Sequence, residues 1–113
     1  MADLLTIAAL RKELREDAAS ARVHAQIDDL IRKEDRNGKP YYELKLRDSG
    51  DNFSLKAWNN SPNFTRCEEL TRGQAVEIEG DFALGSYGID AARWNLRHLN
   101  DAEAAELFAG DEA

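Results

Sequence analysis

Basic and aromatic residues alternate along residues 37–58, and they are the side chains of this sequence best suited to contact a ligand. They are Tyr41, Lys45, Arg47, Lys56 and Trp58. Because strand side chains point alternately to opposite faces, these five would share one face of a two-stranded hairpin. Cationic groups bind phosphates and aromatic rings stack on bases. The pattern therefore predicts a surface that suits single-stranded nucleic acid.

Each of these residues also has an ordinary structural interpretation. Trp58 can instead close one end of a barrel, because tryptophan usually buries most of its area. Lys45, Arg47 and Lys56 can form a solvated strand face, where lysines also discourage edge-to-edge pairing. The sequence leaves both interpretations open.

Three more candidates lie in the C-terminal part of the chain. Tyr87 falls in a Gly-Ser-Tyr-Gly turn and, like Tyr41, is either a stacking platform or a half-exposed loop aromatic. Arg93 and Arg97 share one face of the last predicted strand. They would extend the basic surface if that strand lies beside the first one.

The other face of the same hairpin is apolar and predicts a core. Its residues are Tyr42, Leu44, Leu46, Phe53, Leu55 and Ala57. Period-two alternation also begins at Ala21, and adjacent Leu30 and Ile31 break its phase, which suggests a bulge or bend in a long first strand. Asn37-Gly38 marks a turn into the second strand.

The remaining periodicity predicts a helix and two more strands. Ser61-Pro62 reads as the start of a short helix that Gly73 ends. Alternation then resumes from Val76 to Leu84 and from Ile89 to Leu99. Three strands, a helix and two strands is the order of a mainly β, five-stranded Greek-key OB-fold barrel with a helix between strands three and four. Gly80 would relieve crowding in the fourth strand.

Two helices are predicted outside the barrel. Asp3 caps an N-terminal helix whose apolar stripe includes Leu4, Ile7, Leu10 and Leu14. This stripe either packs against the chain's own barrel or docks a partner or a second copy. The predicted organisation is an amphipathic helix over 1–20, a barrel over 21–99, and an acidic C-terminal helix and tail over 100–113, with Asp101 as the cap.

The net charge of −7 taken alone argues against a polyanionic ligand, but its location matters. Residues 100–113 contribute −5 with no lysine or arginine. Residues 21–99 hold twelve basic and thirteen acidic side chains and are nearly neutral. The predicted fourth strand places Glu77, Glu79 and Asp81 on its outer face, which should repel nucleic acid. The barrel is therefore expected to carry a basic face and an acidic face.

No arrangement in the sequence indicates catalysis, a metal or a cofactor. His24, Cys67 and His98 fall on separate elements without metal-ligand spacing, and the carboxylates are dispersed. Cys67 reads as a small core residue. A single cysteine, the absence of a long apolar run and an N-terminus unlike a signal peptide lead us to expect a cytoplasmic, non-enzymatic protein.

Several motifs resemble one known family. They are Asn37-Gly-Lys-Pro-Tyr41, Leu44-Lys-Leu-Arg-Asp48, Ser49-Gly50, Leu55-Lys-Ala-Trp-Asn59, and Gly73 with Val76-Glu-Ile-Glu-Gly80. Residues 21–99 thereby resemble the OB-fold nucleic-acid-binding domain of the tRNA-anticodon-binding type. The nearest version precedes the HD domain in YhaM-type 3′-to-5′ exoribonucleases. The resemblance implies a nucleic-acid ligand, with RNA favoured over DNA.

The sequence also departs from that family. The turn at Gly50-Asp51-Asn52 is longer by one residue, and the last strand lacks the family's glutamine–aliphatic pattern. No HD pair is present, because His24 is followed by alanine and His98 by leucine. We therefore expect a module that binds single-stranded nucleic acid with little sequence preference. The alternatives are a protein-interaction or dimerisation module and the regulatory OB domain of a longer HD phosphohydrolase.

Overall fold

The computed structural model describes residues 3–14, 19–85 and 88–109, which form one mainly antiparallel sheet flanked by helices. The strands are β1 (Asp3–Leu5), β2 (Ala19–Glu34), β3 (Pro40–Arg47), β4 (Asn52–Trp58), β5 (Ala75–Gly85) and β6 (Gly88–His98). The helices are α1 (Ile7–Glu13), α2 (Pro62–Cys67) and α3 (Asp101–Ala109). None of these helices is long and apolar enough to cross a membrane.

The strands are ordered β4-β3-β2-β5-β6, and β1 pairs with β2 in parallel. Within the described ranges no ladder joins β4 to β6, so the sheet stays open along that line. The prediction of a closed five-stranded barrel is therefore only partly right. The five long strands and α2 occur in the expected order along the chain, but the sheet gains a sixth, short strand and does not close by backbone pairing.

The bend predicted in the first long strand is a bulge in β2. Ile27 pairs with Leu46 and Asp29 pairs with Lys45, which leaves Asp28 without an opposite residue in β3. The loop before β5 holds this bulge, because Gly73 donates its amide to the Ile27 carbonyl and Ile27 donates to the Gln74 carbonyl, both at 2.8 Å. The bulge falls two residues before the phase break in the sequence.

The N-terminal segment differs from the predicted helix. Asp3 does not cap a helix, because residues 3–5 form β1 and pair with β2. Thr6 is the cap of α1, and its hydroxyl accepts from the Ala9 amide at 3.1 Å. The short strand occupies the side of β2 that becomes free once β3 ends.

Helix α1 packs on the chain's own core. Ile7, Leu10 and Leu14 are buried in the same cluster as the inner faces of the strands. Their burial confirms the interpretation in which the apolar stripe belongs to the domain itself. Leu4, by contrast, is 49% exposed and lies outside that core.

The turn between β3 and β4 is fixed to α1. The Asp48 carboxylate accepts from the Ile7 amide at 2.8 Å. Arg11 donates to the Asp51 carboxylate and to the Asn52 carbonyl, both at 2.7 Å. The hydrogen bond from Arg11 holds the pKa of Asp51 below its ordinary value. These contacts attach the turn end of the β3–β4 hairpin to α1.

Helix α2 fills the place where β4 and β6 do not pair. Asn63, which is buried, donates to the Trp94 carbonyl at 2.8 Å, and Arg66 donates to the Leu96 carbonyl at 2.7 Å. Two carbonyls of β6 thus find side-chain partners instead of a neighbouring strand. The helix ends at Cys67, earlier than predicted, and burial raises the pKa of that thiol to about 11.

Replacing Leu10 with alanine should lower the free energy of unfolding by about 2–5 kcal/mol, because it leaves a cavity in the core. Leu4→Ala is the matched control from the same segment, and it should cost less than about 1 kcal/mol since Leu4 is exposed. Urea unfolding followed by circular dichroism measures both. Equal losses would contradict the assignment of α1 to the core.

Candidate nucleic-acid interface

The outer face of β3 and β4, termed here the outer β3–β4 face, holds all five residues that the alternating pattern singled out. The strand register sets Tyr41 beside Trp58 and Glu43 beside Lys56. Lys45 and Arg47 follow toward the β3–β4 turn. The inner face of the same strands is buried, as the apolar phase predicted.

One end of this face carries a compact group that we call the aromatic–lysine cluster, made of Tyr41, Lys56 and Trp58. The two rings are tilted by 39° with centroids 4.6 Å apart. The Lys56 ammonium lies 5.6 Å from the centroid of Tyr41 and 5.9 Å from that of Trp58, within cation–π range. Trp58 remains 39% exposed. Its ring therefore rests on the outside of the sheet rather than closing the barrel.

A half-buried carboxylate lies next to this cluster. Glu43 accepts from the Lys33 ammonium at 2.6 Å, and its other oxygen is 3.9 Å from Lys45. The hydrogen bond from Lys33 holds the pKa of Glu43 below its ordinary value and raises the pKa of Lys33. Glu43 therefore places one fixed negative charge among three lysines, the third being Lys56, which lies opposite Glu43 in the β3–β4 ladder.

Lys33 belongs to this face although the alternating pattern did not single it out. The bulge at Asp28 shifts the phase of β2, so Lys33 pairs with Tyr41 and points outward. The adjacent Leu30 and Ile31 were the sequence signal for this shift. A phase count continued past them would have placed Lys33 on the outer face.

The far end of the face is more evenly balanced in charge. Arg47 donates to the Gln26 side chain at 2.9 Å and lies 3.6 Å from the Asp28 carboxylate. Asp29 is opposite Lys45 in the register. Arg47 is exposed, but neighbouring acidic groups reduce the positive potential there.

A wide groove of about 1000 Å³ borders the aromatic–lysine cluster. Lys56 and Trp58 line one wall, residues 88–91 and 93–95 line the other wall, and the start of α2 also borders the groove. Arg93 lies on that second wall and is 86% exposed at its side chain, although it also pairs with Asp81. The groove follows the line where β4 and β6 do not pair.

Arg93 reaches this wall because β6 bulges. Gly80 faces the bulge, and a Cβ atom at that position would lie 2.7 Å from Trp94 Cβ. Arg93 itself has a φ of 51°, a conformation that few residues with side chains adopt. The crowding that Gly80 was predicted to relieve is therefore a contact with Trp94.

The structure separates Arg97 from the other candidates. Strand β6 pairs with β5 and not with β2, so the condition for a continuous basic surface is not met. Arg97 instead forms two hydrogen bonds to Glu77, at 3.0 and 3.2 Å, and two to Glu103, at 2.8 and 3.0 Å. Its guanidinium joins α3 to the sheet, away from the outer β3–β4 face, and its role as a phosphate ligand stays a prediction. Tyr87 lies outside the described residues.

Glu77 is the centre of an ion-pair cluster that sequence reasoning missed. Its carboxylate is 2.9 Å from His24 Nε2 and 3.4 Å from Arg22. Burial alone would raise its pKa, but the hydrogen bonds from Arg97 and His24 outweigh burial and lower it. His24, Glu77 and Glu103 bring three possible metal ligands within 4.8 Å of one another, yet Arg97 holds both carboxylates. The expected acidic face of β5 is thus largely neutralised.

Helix α3 is attached to the sheet through this cluster. Asn100, rather than the predicted Asp101, caps the helix: its side chain accepts from the Glu103 amide at 2.9 Å, and Glu103 accepts from the Asn100 amide at 3.2 Å. No side chain of α3 is fully buried. The Arg97–Glu103 pair is therefore one link between the helix and the sheet, beside the partly buried Leu107 and Phe108.

No protein-family model and no curated protein matches the chain. Similar solved structures show its fold. Asparaginyl-tRNA synthetase from Pyrococcus horikoshii is 18% identical with a TM-score of 0.61, over 85% of this chain and 23% of that one. The second OB-fold domain of replication protein A from Methanococcus maripaludis is 17% identical with a TM-score of 0.60, over 87% and 96%. RecG bound to a three-way DNA junction is 15% identical with a TM-score of 0.61, over 90% and 13%.

These similarities establish an OB-fold. The chain spans less than a quarter of the synthetase and about an eighth of RecG, but nearly the whole of the replication protein A domain. The closer resemblance to YhaM-type exoribonucleases stays a prediction.

The carboxyl of Glu103 should titrate far below its ordinary value of 4.5, because hydrogen bonds from Arg97 and from the Asn100 amide lower its pKa to about 2. A lowered folded-state pKa means that the pair stabilises docked α3 above about pH 4.5 and that this stabilisation is lost as the pH falls toward 2. Carbon-detected NMR titration gives the midpoint. It should rise clearly in Arg97→Gln and stay unchanged in the control Arg93→Gln, and a wild-type midpoint near 4.5 would contradict the pairing.

Proposed function

We propose that this protein binds single-stranded nucleic acid along the outer β3–β4 face. The observation that carries the proposal is the aromatic–lysine cluster, in which the exposed part of Trp58 lies beside Tyr41 and Lys56. A base that stacks on the indole would extend an existing aromatic pair. Its 5′ or 3′ phosphate would then lie within reach of the lysines.

The groove beside the cluster supports this placement. It gives a strand a path that leads from Trp58 toward Arg93 along the line where β4 and β6 do not pair. Lys33 and Lys45 would contact phosphates on the other side of the cluster. OB-folds occupy about 4–16 nucleotides of single strand, so an oligonucleotide of about twelve residues is a suitable probe.

Stacking and phosphate contacts do not read base edges, so we propose little sequence preference. RNA is favoured over DNA by the family resemblance alone. The similar structures include a tRNA synthetase, a replication protein and a protein bound to a DNA junction, which supports a nucleic-acid ligand of either kind. The proposed activity is binding without catalysis, in the cytoplasm.

The main alternative, a dimerisation or protein-interaction module, relied on the apolar stripe of the N-terminal helix and on the acidic tail. Most of that stripe is buried within the chain itself. The buried side chains are Ile7, Leu10 and Leu14, and they are not available to a partner. Light scattering tests the alternative. A stable dimer with no oligonucleotide affinity would favour it over the proposal.

Trp58→Ala should weaken the binding of a twelve-nucleotide single strand by about tenfold, because one stacked base contributes roughly 1–3 kcal/mol. Phe108→Ala removes a partly exposed ring from α3 and is the control, with no expected change. Fluorescence anisotropy at low salt measures both affinities. No wild-type binding under these conditions, or equal binding by Trp58→Ala, would overturn the proposed site.

The double variant Lys45→Ala/Lys56→Ala should weaken binding and also flatten its salt dependence. For single strands, the slope of log affinity against log salt changes by about 0.7 for each phosphate that the protein no longer neutralises. Lys12→Ala, an exposed lysine on α1, is the control and should leave the slope unchanged. An unaltered slope in the double variant would exclude these lysines as phosphate ligands.

A further inference from the structure

Glu43 is an unexpected residue at the centre of a proposed polyanion site. Its carboxylate is half-buried, accepts a hydrogen bond from the Lys33 ammonium at 2.6 Å and lies 3.9 Å from the Lys45 ammonium. The ladder also sets it directly opposite Lys56 of the aromatic–lysine cluster. Any phosphate that approached these lysines as closely as Glu43 does would come near a fixed negative charge.

A base experiences this charge differently from a phosphate. The rings of Tyr41 and Trp58 offer a stacking surface beside Glu43, and a neutral base can occupy it without like-charge repulsion. A ligand made only of phosphates gains nothing from the rings and still meets the carboxylate. Specificity is a difference between affinities, so a repulsive group can create it by weakening the wrong ligand more than the right one.

We propose that Glu43 is a specificity-determining residue that excludes polyanions lacking accessible bases, such as polyphosphate and duplex, while it tolerates a strand that can stack. This inference rests on the proposed function of the outer β3–β4 face. Glu43 offsets part of the positive charge of Lys33, Lys45 and Lys56, so that phosphate contacts alone are too weak to retain a ligand. Stacking on Trp58 then decides what binds.

The test compares two probes, a twelve-nucleotide single strand and an inorganic polyphosphate of similar phosphate number, against wild type and Glu43→Gln. Wild type should prefer the oligonucleotide. Glu43→Gln should bind polyphosphate about three- to tenfold more tightly and the oligonucleotide at most about twofold more tightly, as expected for the removal of one half-buried charge. A duplex of the same sequence should follow polyphosphate.

Glu106→Gln on α3 is the matched control, because it removes the same formal charge from an exposed position on another element. It should leave the ratio of the two affinities unchanged. Lys33→Gln provides a second variant with the opposite sign: it removes the closest counter-ion of Glu43, and polyphosphate binding should weaken further. Circular dichroism establishes that each variant is folded.

The outcomes separate the two proposals. The decisive quantity is the ratio of oligonucleotide affinity to polyphosphate affinity. If wild type binds the oligonucleotide but Glu43→Gln does not reduce this ratio, the role of Glu43 is overturned and the proposed function stands. Wild type that binds neither probe overturns the proposed function and this inference together. A reduced ratio in Glu43→Gln but not in Glu106→Gln supports both.

Discussion

The long strand β2 is the constraint on which the rest of the domain depends. It pairs with β5 through residues 19–26 and with β3 through residues 26–34, so both halves of the sheet are attached to it. The bulge at Asp28 lets one strand serve both halves, because it bends the ladder and increases its twist. The side of β2 that β3 leaves free is then filled by β1, which brings α1 under the core.

The same bulge also determines what the outer β3–β4 face contains. N-terminal to the bulge, the outward residues of β2 lie beside the Glu77 cluster. C-terminal to the bulge, they lie beside Glu43 and the lysines of the outer β3–β4 face. One extra residue thereby divides the outer surface of the sheet into two charge environments. In the first, Arg97 is held between two carboxylates, and in the second a single carboxylate is surrounded by three lysines.

The sequence predicted the parts of the fold that depend on local patterning. Period-two alternation located the five long strands, and Ser61-Pro62 located the start of α2. It could not predict that α1 begins at Ile7, since Thr6 and Asp3 are both acceptable caps and pairing of β1 with β2 decides between them. The sequence also did not predict the hydrogen bond from Asn63 to the Trp94 carbonyl, because a contact between residues 31 positions apart leaves no local pattern.

The candidate site shows the same division. Alternation placed Tyr41, Lys56 and Trp58 on one face, but the pairing of Arg97 with Glu77 and Glu103 depends on strand order and on the docking of α3, which periodicity does not encode. Net charge was equally uninformative at this scale. A chain of charge −7 can present a basic face, because salt screens the interaction between exposed charges beyond about 8–10 Å. The electrostatic potential of each face is therefore set by the charged side chains near it. Near Trp58 those neighbours are lysines around one carboxylate, so under the proposed function stacking, rather than total charge, is what would decide which ligands this surface retains.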